Sequence, residues 1–311
     1  MSARDWRRPR ALRRGDLLGV CAPAGAVDAQ RLEKGVAELR ALGFEVRVPE
    51  GLLERQGFTA GGVERRVAEL QALYADDAVA GIVCARGGAG AGGLVSRLDV
   101  ARWPERPKHF VGFSDVTALH LHLNNVGLVT FHGPMAAVDL ATGSYDRPSF
   151  LHALTGEGTP YRSEADDLLP LRPGRGEGRL RGGCLSLLAA AAGTPWALRP
   201  AGEDTILFVE DVDEPPYRID RMFLQLRASG ALDGVRGIIL GDMKGCAPPR
   251  DAEFGLEDVV LEATEGLEVP VAIGLSSGHA AGPQVTLPLG VRARLDCGDQ
   301  ATFEILEPAV A

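Results

Sequence analysis

The sequence lacks the features that mark several common classes of protein. No hydrophobic run reaches the length that spans a membrane. The five cysteines lie far apart and form no Cys-x-x-Cys pair, so we expect buried thiols rather than a zinc site or a disulfide framework. A formal net charge of −9 leaves no basic footprint for nucleic acid. We therefore expect a globular chain with no metal, no cofactor, no nucleic-acid partner and no membrane partner.

The N-terminus is the one basic stretch, with six arginines in its first fourteen residues. Such a stretch can begin a signal peptide, but Asp16 interrupts it. The apolar run that follows, LLGVCAPAGAV, is short and turns polar at Asp28, which favours a first β-strand. We expect the protein to be cytoplasmic.

The first half of the sequence alternates between apolar runs and helical spacing. Runs such as LLGVCA and VAGIVCA predict strands at 17–22 and 79–85. Between them, apolar residues recur at the spacing of one helix face, at Leu32, Val36, Leu39 and Leu42. This alternation predicts an N-terminal α/β domain over residues 1–160, with an open, mostly parallel sheet of flavodoxin or Rossmann type and helices on both faces.

A different composition separates this half from the second. Residues 161–183 contain RPGRGEG and RGG, and we expect this Gly- and Pro-rich junction to lack regular structure. Residues 184–311 then return to strands and helices and end in runs of strand character. They predict a C-terminal α/β domain with a β-rich end.

Two of the three loops that invite a functional interpretation lie in the first half. Glycines in Arg86-Gly87-Gly88-Ala89-Gly90 leave backbone amides free to face a ligand, although a bare turn has the same composition. No Gly-Lys-Ser/Thr follows, so the loop is no P-loop. Ser114 stands between a predicted strand and a predicted helix, as in a nucleophile elbow. Ser114 or Asp115 acting as a helix cap stays open as the alternative.

The third loop lies in the second half, where the strand TILFV delivers four carboxylates that begin at Glu210. One of them can orient a catalytic histidine, the cluster can bind Mg²⁺ or Ca²⁺, or Asp213 or Glu214 can cap the next helix. His279 follows a strand in a Gly-flanked turn. The preceding Gly274-Leu275-Ser276-Ser277-Gly278 fits G-x-S-x-G, but no helix is predicted after it, so we interpret the match as coincidence.

Taken together, these loops resemble the LD-carboxypeptidase family of serine peptidases, also called muramoyltetrapeptide carboxypeptidases. The resemblance runs in order through nearly the whole chain. It is carried by CAPAG (21–25), ARGG (85–88), GFSDVTALH (112–120), FHGPM (131–135), GGCLSLLAAAAGTPW (182–196), EDVDEPPYRIDRMFLQLRASG (210–230), GIILGDM (237–243) and GHAAGPQVTLPLG (278–290).

The resemblance implies a Ser-Glu-His triad of Ser114, Glu210 and His279, whose loops should converge. It also implies oxyanion donors on the backbone of Asp115 and of one glycine in Gly87-Gly88, for which we choose Gly88. The family's usual activity is release of the terminal D-alanine from murein tetrapeptide, so the expected partner is a small peptide. Arg86 is a candidate, by its position, for gripping the substrate carboxylate.

Two positions depart from the family pattern, since Ala89 replaces an aromatic residue and Cys184 replaces asparagine. Both changes bear on substrate choice. Relatives that cut peptidyl-nucleotide antibiotics supply an alternative function, although residues 163–183 hold no aromatic side chain to stack on a base. A non-catalytic binding protein is a third option, which retention of the triad disfavours. The oligomeric state is left open, with a homodimer as one option.

Overall fold

The computed structural model describes residues 5–163, 167–199, 202–249, 251–279 and 282–311. Its strands are β1 (Leu17–Cys21), β2 (Glu45–Arg47), β3 (Val79–Cys84), β4 (His109–Gly112), β5 (Thr130–His132), β6 (Leu169–Arg172), β7 (Gly174–Cys184), β8 (Thr205–Val212), β9 (Val235–Lys244), β10 (Val271–Ile273), β11 (Leu287–Leu289), β12 (Arg292–Cys297) and β13 (Ala301–Ile305). Its helices are α1 (Ala29–Ala41), α2 (Val63–Ala75), α3 (Gly92–Val95), α4 (Thr117–Asn125), α5 (Asp139–Thr142), α6 (Arg147–Thr155), α7 (Leu185–Ala191), α8 (Pro216–Ala228) and α9 (Leu256–Ala263). Short 3-10 turns span Trp103–Glu105 and Ser114–Val116.

These elements form two compact units. The N-terminal unit comprises Asp5–Thr159, Gly282–Pro288 and Ala309–Ala311, and the C-terminal unit comprises the described residues within 160–281 and 289–308. That the two halves fold as separate domains stays a prediction. No helix in the described part of the chain has both the length and the apolar character needed to cross a bilayer.

The N-terminal unit is built on a six-stranded sheet in the order β11-β5-β4-β3-β1-β2. Strands β1 to β5 pair in parallel, which confirms the predicted flavodoxin-type arrangement. The strand order reverses at β1, so connections run over both faces of the sheet. In such sheets ligands bind beyond the carboxyl ends of the strands at the reversal point, which places the loops after β1 and β3 at the expected position for a site.

The C-terminal unit contains a seven-stranded mixed sheet in the order β13-β12-β7-β8-β9-β10-β6. Its centre, β7 to β10, is parallel. Strands β6, β12 and β13 add antiparallel pairs at the two edges. The last two of these form the predicted β-rich end. The prediction that the chain is an α/β protein is therefore confirmed in both units.

The expectation that residues 161–183 lack regular structure is wrong. This segment contains β6 and most of β7, an eleven-residue strand near the middle of its sheet. A Cβ atom on Gly176 would lie 1.8 Å from the Arg236 carbonyl oxygen, and one on Gly182 would lie 1.7 Å from that of Phe208. Glycine is present there because neighbouring backbone approaches closely, and it marks a crowded strand rather than a break.

Candidate active site

Ser114 follows β4 and opens the 3-10 turn that leads into α4. Its φ of +63° lies in the left-handed region, which costs a residue with a side chain roughly 1–2 kcal/mol. Strain of this kind persists only where surrounding structure enforces it, and it is found at functional sites. The cap alternative is wrong, because the N-cap residue of α4 is Val116 and no side chain makes a capping hydrogen bond there.

The turn at Ser114 lacks the glycine that usually stands two residues after an elbow serine. Here the small residue stands two positions before it. A Cβ atom on Gly112 would lie 3.0 Å from both Cys84 Cβ and Val116 Cγ1. The absence of a side chain at Gly112 therefore leaves room for Val116.

The glycine loop after β3 packs directly against this serine. A Cβ atom on Gly87 would lie 2.8 Å from Ser114 Cβ and 2.9 Å from Ser114 Oγ. The same position lies 3.3 Å from the backbone nitrogen of Asp115. Only glycine fits at position 87, so the loop backbone reaches the serine itself. The roles of the Gly88 and Asp115 amides as oxyanion donors stay predictions.

The Asp115 side chain is turned inward and holds the same loop. Its carboxylate is buried, and Oδ2 accepts a hydrogen bond of 2.7 Å from the backbone N–H of Ala91. Burial raises the pKa of this carboxyl group, while the bond from Ala91 and the charge of Arg66 oppose the shift. The side chain of the residue after the serine therefore has a structural role.

Two further residues of the glycine loop reach solvent. Arg86 is exposed, and its Nη1 donates to the carbonyl oxygen of Ala26 at 3.1 Å. That bond holds the guanidinium over the loop after β1, within the same unit as Ser114. Ala89 is also exposed, so the missing aromatic side chain changes the surface of the loop and not its packing.

The C-terminal unit contains a carboxylate–imidazole pair. Glu210 lies near the end of β8 and is fully buried, and its Oε2 accepts a 2.7 Å hydrogen bond from Nδ1 of His279. The backbone N–H of His279 donates to the same oxygen at 3.2 Å. With Nδ1 committed as donor to the carboxylate, Nε2 is the imidazole nitrogen that can act as a base. The structure therefore brings Glu210 and His279 together, as predicted.

The loop before His279 is shaped to fit onto Glu210. Gly278 has φ of +111°, and a Cβ atom there would lie 2.5 Å from Glu210 Oε2. Behind it, the N–H of Asp242 at the end of β9 donates to the Ser277 carbonyl oxygen at 3.0 Å. Burial and the charge of Glu210 raise the pKa of the Asp242 carboxyl group, and His279 opposes the shift. Sequence reasoning missed Asp242, because only strand pairing places it beside the dyad.

Two other carboxylates of the acidic loop, Asp211 and Glu214, have separate partners. Asp211 Oδ2 accepts from the N–H of Ser186 at 2.7 Å, and Cys184 lies at the same contact, with its Sγ 3.6 Å from Asp211 Oδ1. Glu214 pairs with Arg218 at 3.2 Å. Neither Asp213 nor Glu214 caps α8, whose N-cap residue is Pro215 without a side-chain bond, so that alternative is wrong.

Two buried histidines in the N-terminal unit have structural roles. His120 is held between the Thr130 hydroxyl at 2.9 Å and the Gly112 carbonyl oxygen at 2.7 Å, and burial lowers its pKa to about 3. His109 contacts the Arg10 carbonyl oxygen at 2.9 Å, and burial lowers its pKa to about 4. His120 therefore supports the strand end from which Ser114 follows.

The second serine motif, Gly274 to Gly278, does not form an elbow. It follows β10, as an elbow should follow a strand. In residues 274–279 and 282–290, however, the described chain contains no helix. The element that an elbow requires after its serine is absent from these residues.

Two family models together cover most of the chain. The family model for the LD-carboxypeptidase N-terminal domain matches residues 18–133, and that for the LD-carboxypeptidase C-terminal domain matches residues 177–295. The chain therefore belongs to the LD-carboxypeptidase family. It is 35% identical to the probable murein peptide carboxypeptidase of Bacillus subtilis (strain 168), over 98% of this chain and 95% of that one.

Two other proteins extend the comparison. The crystal structure of muramoyltetrapeptide carboxypeptidase from Oxalobacter formigenes matches with a TM-score of 0.82 and 31% identity, covering 94% of this chain and 99% of that one. The microcin C7 self-immunity protein of Escherichia coli is 27% identical over 91% of each chain.

Proposed function

We propose that this protein is a serine-type LD-carboxypeptidase that releases the terminal D-alanine from murein tetrapeptide, as a cytoplasmic step of peptidoglycan recycling. The observation that carries the proposal is the strained Ser114, packed against Gly87, where an added Cβ atom would lie 2.8 Å from Ser114 Cβ. The hydrogen bond between the buried Glu210 carboxylate and His279 supports it, because such a pair supplies the base that a catalytic serine needs. The murein peptide relatives supply the substrate class.

The first chemical step forms a tetrahedral intermediate. Ser114 Oγ attacks the carbonyl carbon between the diamino acid and D-alanine, while His279 Nε2 accepts the hydroxyl proton. Glu210 keeps Nδ1 protonated and stabilises the imidazolium that forms. The oxyanion is bound by the Gly88 and Asp115 amides, at about 3–4 kcal/mol per donor in known cases.

The following steps form the acyl-enzyme by releasing D-alanine and then restore the enzyme. The imidazolium gives its proton to the leaving amine of D-alanine, and the carbon–nitrogen bond breaks. A water molecule then attacks the acyl-enzyme with His279 as base, which frees Ser114 and the tripeptide. Arg86 is assigned to the D-alanine carboxylate, because it is the exposed cation on the glycine loop. The pairing of Ser114 with the dyad stays a prediction.

An alternative function is cleavage of peptidyl-nucleotide antibiotics, which the 27% identity to the self-immunity protein keeps in consideration. One assay separates the two. The purified protein is given murein tetrapeptide in one reaction and a peptidyl-adenylate analogue in another, and released D-alanine or nucleotide is measured. We expect turnover of the tetrapeptide at a kcat/KM at least about tenfold higher. Preference for the nucleotide substrate would support the alternative, and no turnover of either would contradict both.

A further inference from the structure

Helix α2 buries two charged side chains on a face where helical spacing favours apolar ones. Arg66 is 5% exposed and Glu69 is 9% exposed, beside the buried Leu70 and Leu73. A buried charge is costly unless it is hydrogen-bonded, so both groups need partners. Glu69 Oε1 accepts from the N–H of Ala22, directly after β1, at 2.9 Å. The helix thus uses charge to hold backbone at the reversal point of the sheet.

Arg66 connects the two loops at that point. Its Nη1 donates to the Pro23 carbonyl oxygen at 2.6 Å and to the Gly90 carbonyl oxygen at 2.9 Å. Pro23 belongs to the loop after β1, and Gly90 to the glycine loop that packs on Ser114. A single guanidinium therefore fixes the glycine loop to its neighbour.

The peptide group between Gly90 and Ala91 is held from both sides. Arg66 binds its carbonyl oxygen, and the Asp115 carboxylate accepts from its N–H at 2.7 Å. A cation at the oxygen and an anion at the N–H polarise the same peptide in the same sense, so each bond strengthens the other. Asp115 in turn carries one of the two proposed oxyanion amides. Arg66 is thus linked to the residue after Ser114 through one peptide group.

We propose that Arg66 is a positioning residue for catalysis. Through the Gly90–Ala91 peptide and the Asp115 carboxylate, it holds the Gly88 and Asp115 amides in place for the oxyanion. This inference rests on the proposed function for the roles of those two amides. It differs from a purely structural role, because it predicts a selective loss of transition-state stabilisation.

The test compares Arg66→Met and Arg66→Lys with the wild-type protein on murein tetrapeptide. Arg66→Met should lower kcat about 10- to 100-fold, because displaced amides fit the oxyanion poorly, with KM changed less than about threefold. Arg66→Lys keeps the charge but lacks the planar guanidinium group. Its kcat should lie between that of the wild-type protein and that of Arg66→Met. If Arg66→Met does not fold, the test rests on Arg66→Lys alone. A wild-type kcat in Arg66→Lys would then overturn the proposal.

The neighbouring arginine supplies a matched control. Arg65 lies on the same helix and binds Glu69 and the Ala60 carbonyl oxygen, both at 2.6 Å, without a bond to the glycine loop. Arg65→Met should reduce thermal stability and leave kcat within about threefold of wild type. Equal kcat losses in Arg65→Met and Arg66→Met would mean that α2 acts only through stability, and would overturn the inference.

A second measurement does not depend on the peptide substrate. A fluorophosphonate probe reacts with an activated serine and places its phosphoryl oxygen where the oxyanion would lie. Labelling of Ser114 should slow in Arg66→Met by about the same factor as kcat, and it should stay normal in Arg65→Met. Wild-type protein that is labelled but does not cleave murein tetrapeptide would contradict the proposed substrate, while the labelling ratio still decides the role of Arg66.

Discussion

The Ser114 region and the His279 region are assembled by different kinds of contact. Around Ser114, the Gly87 backbone lies close to the serine side chain, and the charged side chains of Arg66 and Asp115 bind the Gly90–Ala91 peptide group. Around His279, a side chain binds a side chain, with the Glu210 carboxylate buried beneath the imidazole. The contact of Gly87 with Ser114 depends on space, and the contact of Glu210 with His279 depends on charge. Adding volume at Gly87 and removing the charge of Glu210 therefore test the two contacts separately.

The largest expected effect is loss of the serine itself. Ser114→Ala should lower kcat by about 10⁴-fold or more with little change in KM, because it removes the attacking oxygen and almost no binding surface. Ser276→Ala is the control, since its motif forms no elbow, and it should keep near-normal activity. Steady-state D-alanine release from murein tetrapeptide measures both. An inactive Ser276→Ala protein beside an active Ser114→Ala protein would contradict the assignment.

The next effect tests the charge-dependent contact between Glu210 and His279. Glu210→Gln keeps the shape but removes the charge that holds His279 in its tautomer, and kcat should fall by about 10³- to 10⁴-fold. The loss should be smaller than that of Ser114→Ala, because the imidazole remains. Glu214→Gln in the same acidic loop serves as the control and should stay within about twofold in kcat. Equal losses in the two glutamine variants would mean that the loop, and not Glu210, is what matters.

A smaller effect tests the close contact between Gly87 and Ser114. Gly87→Ala leaves every charge in place, but its methyl group would meet Ser114 Cβ at 2.8 Å, so the loop or the serine must shift. We expect kcat to fall about 10²-fold. Gly92→Ala is the matched control, because nothing lies within 4 Å of its added Cβ. Wild-type kinetics in Gly87→Ala would show that the loop tolerates displacement and would weaken the comparison.

The smallest effect is on stability and depends on pH. His120 has a pKa of about 3 in the folded protein, against about 6.5 when unfolded. Below pH 6.5 the unfolded state takes up the proton, so the stabilisation is present above that pH and is lost as the pH falls towards the folded value. Between pH 7 and pH 5 the loss should be about 2 kcal/mol.

Chemical denaturation of wild type and His120→Asn at both pH values isolates this contribution. His120→Asn should be less stable than the wild type at pH 7. The difference between their free energies of unfolding should be about 2 kcal/mol smaller at pH 5. A gap that is independent of pH would show that His120 is not held neutral by burial. The same measurement on His109 variants sharpens the result, since burial lowers the pKa of that histidine to about 4.

Local sequence was sufficient for most of the fold, but the assignment of the candidate triad came from the resemblance to a known family. Apolar runs predicted β1 and β3 to within one residue at each end, and helical spacing located α1, because side-chain periodicity is a local property. The glycines of β7 wrongly predicted irregular structure. They are needed because the Arg236 and Phe208 backbones, which are distant in sequence, lie close to them. The resemblance to a known family supplied Glu210, which local patterns left among four carboxylates.

The sequence by itself determined the alternation of elements, the strand ends that carry Ser114 and Glu210, and the family. Only the tertiary structure decided which groups meet, because hydrogen bonds between elements depend on strand order and not on spacing along the chain. It turned Ser114 into the left-handed region and set Gly87 against it. The tertiary structure also brings His279 within hydrogen-bond distance of Glu210 Oε2. Arg66 lies 24 residues from Gly90, and only the folded sheet could bring that guanidinium to the glycine loop.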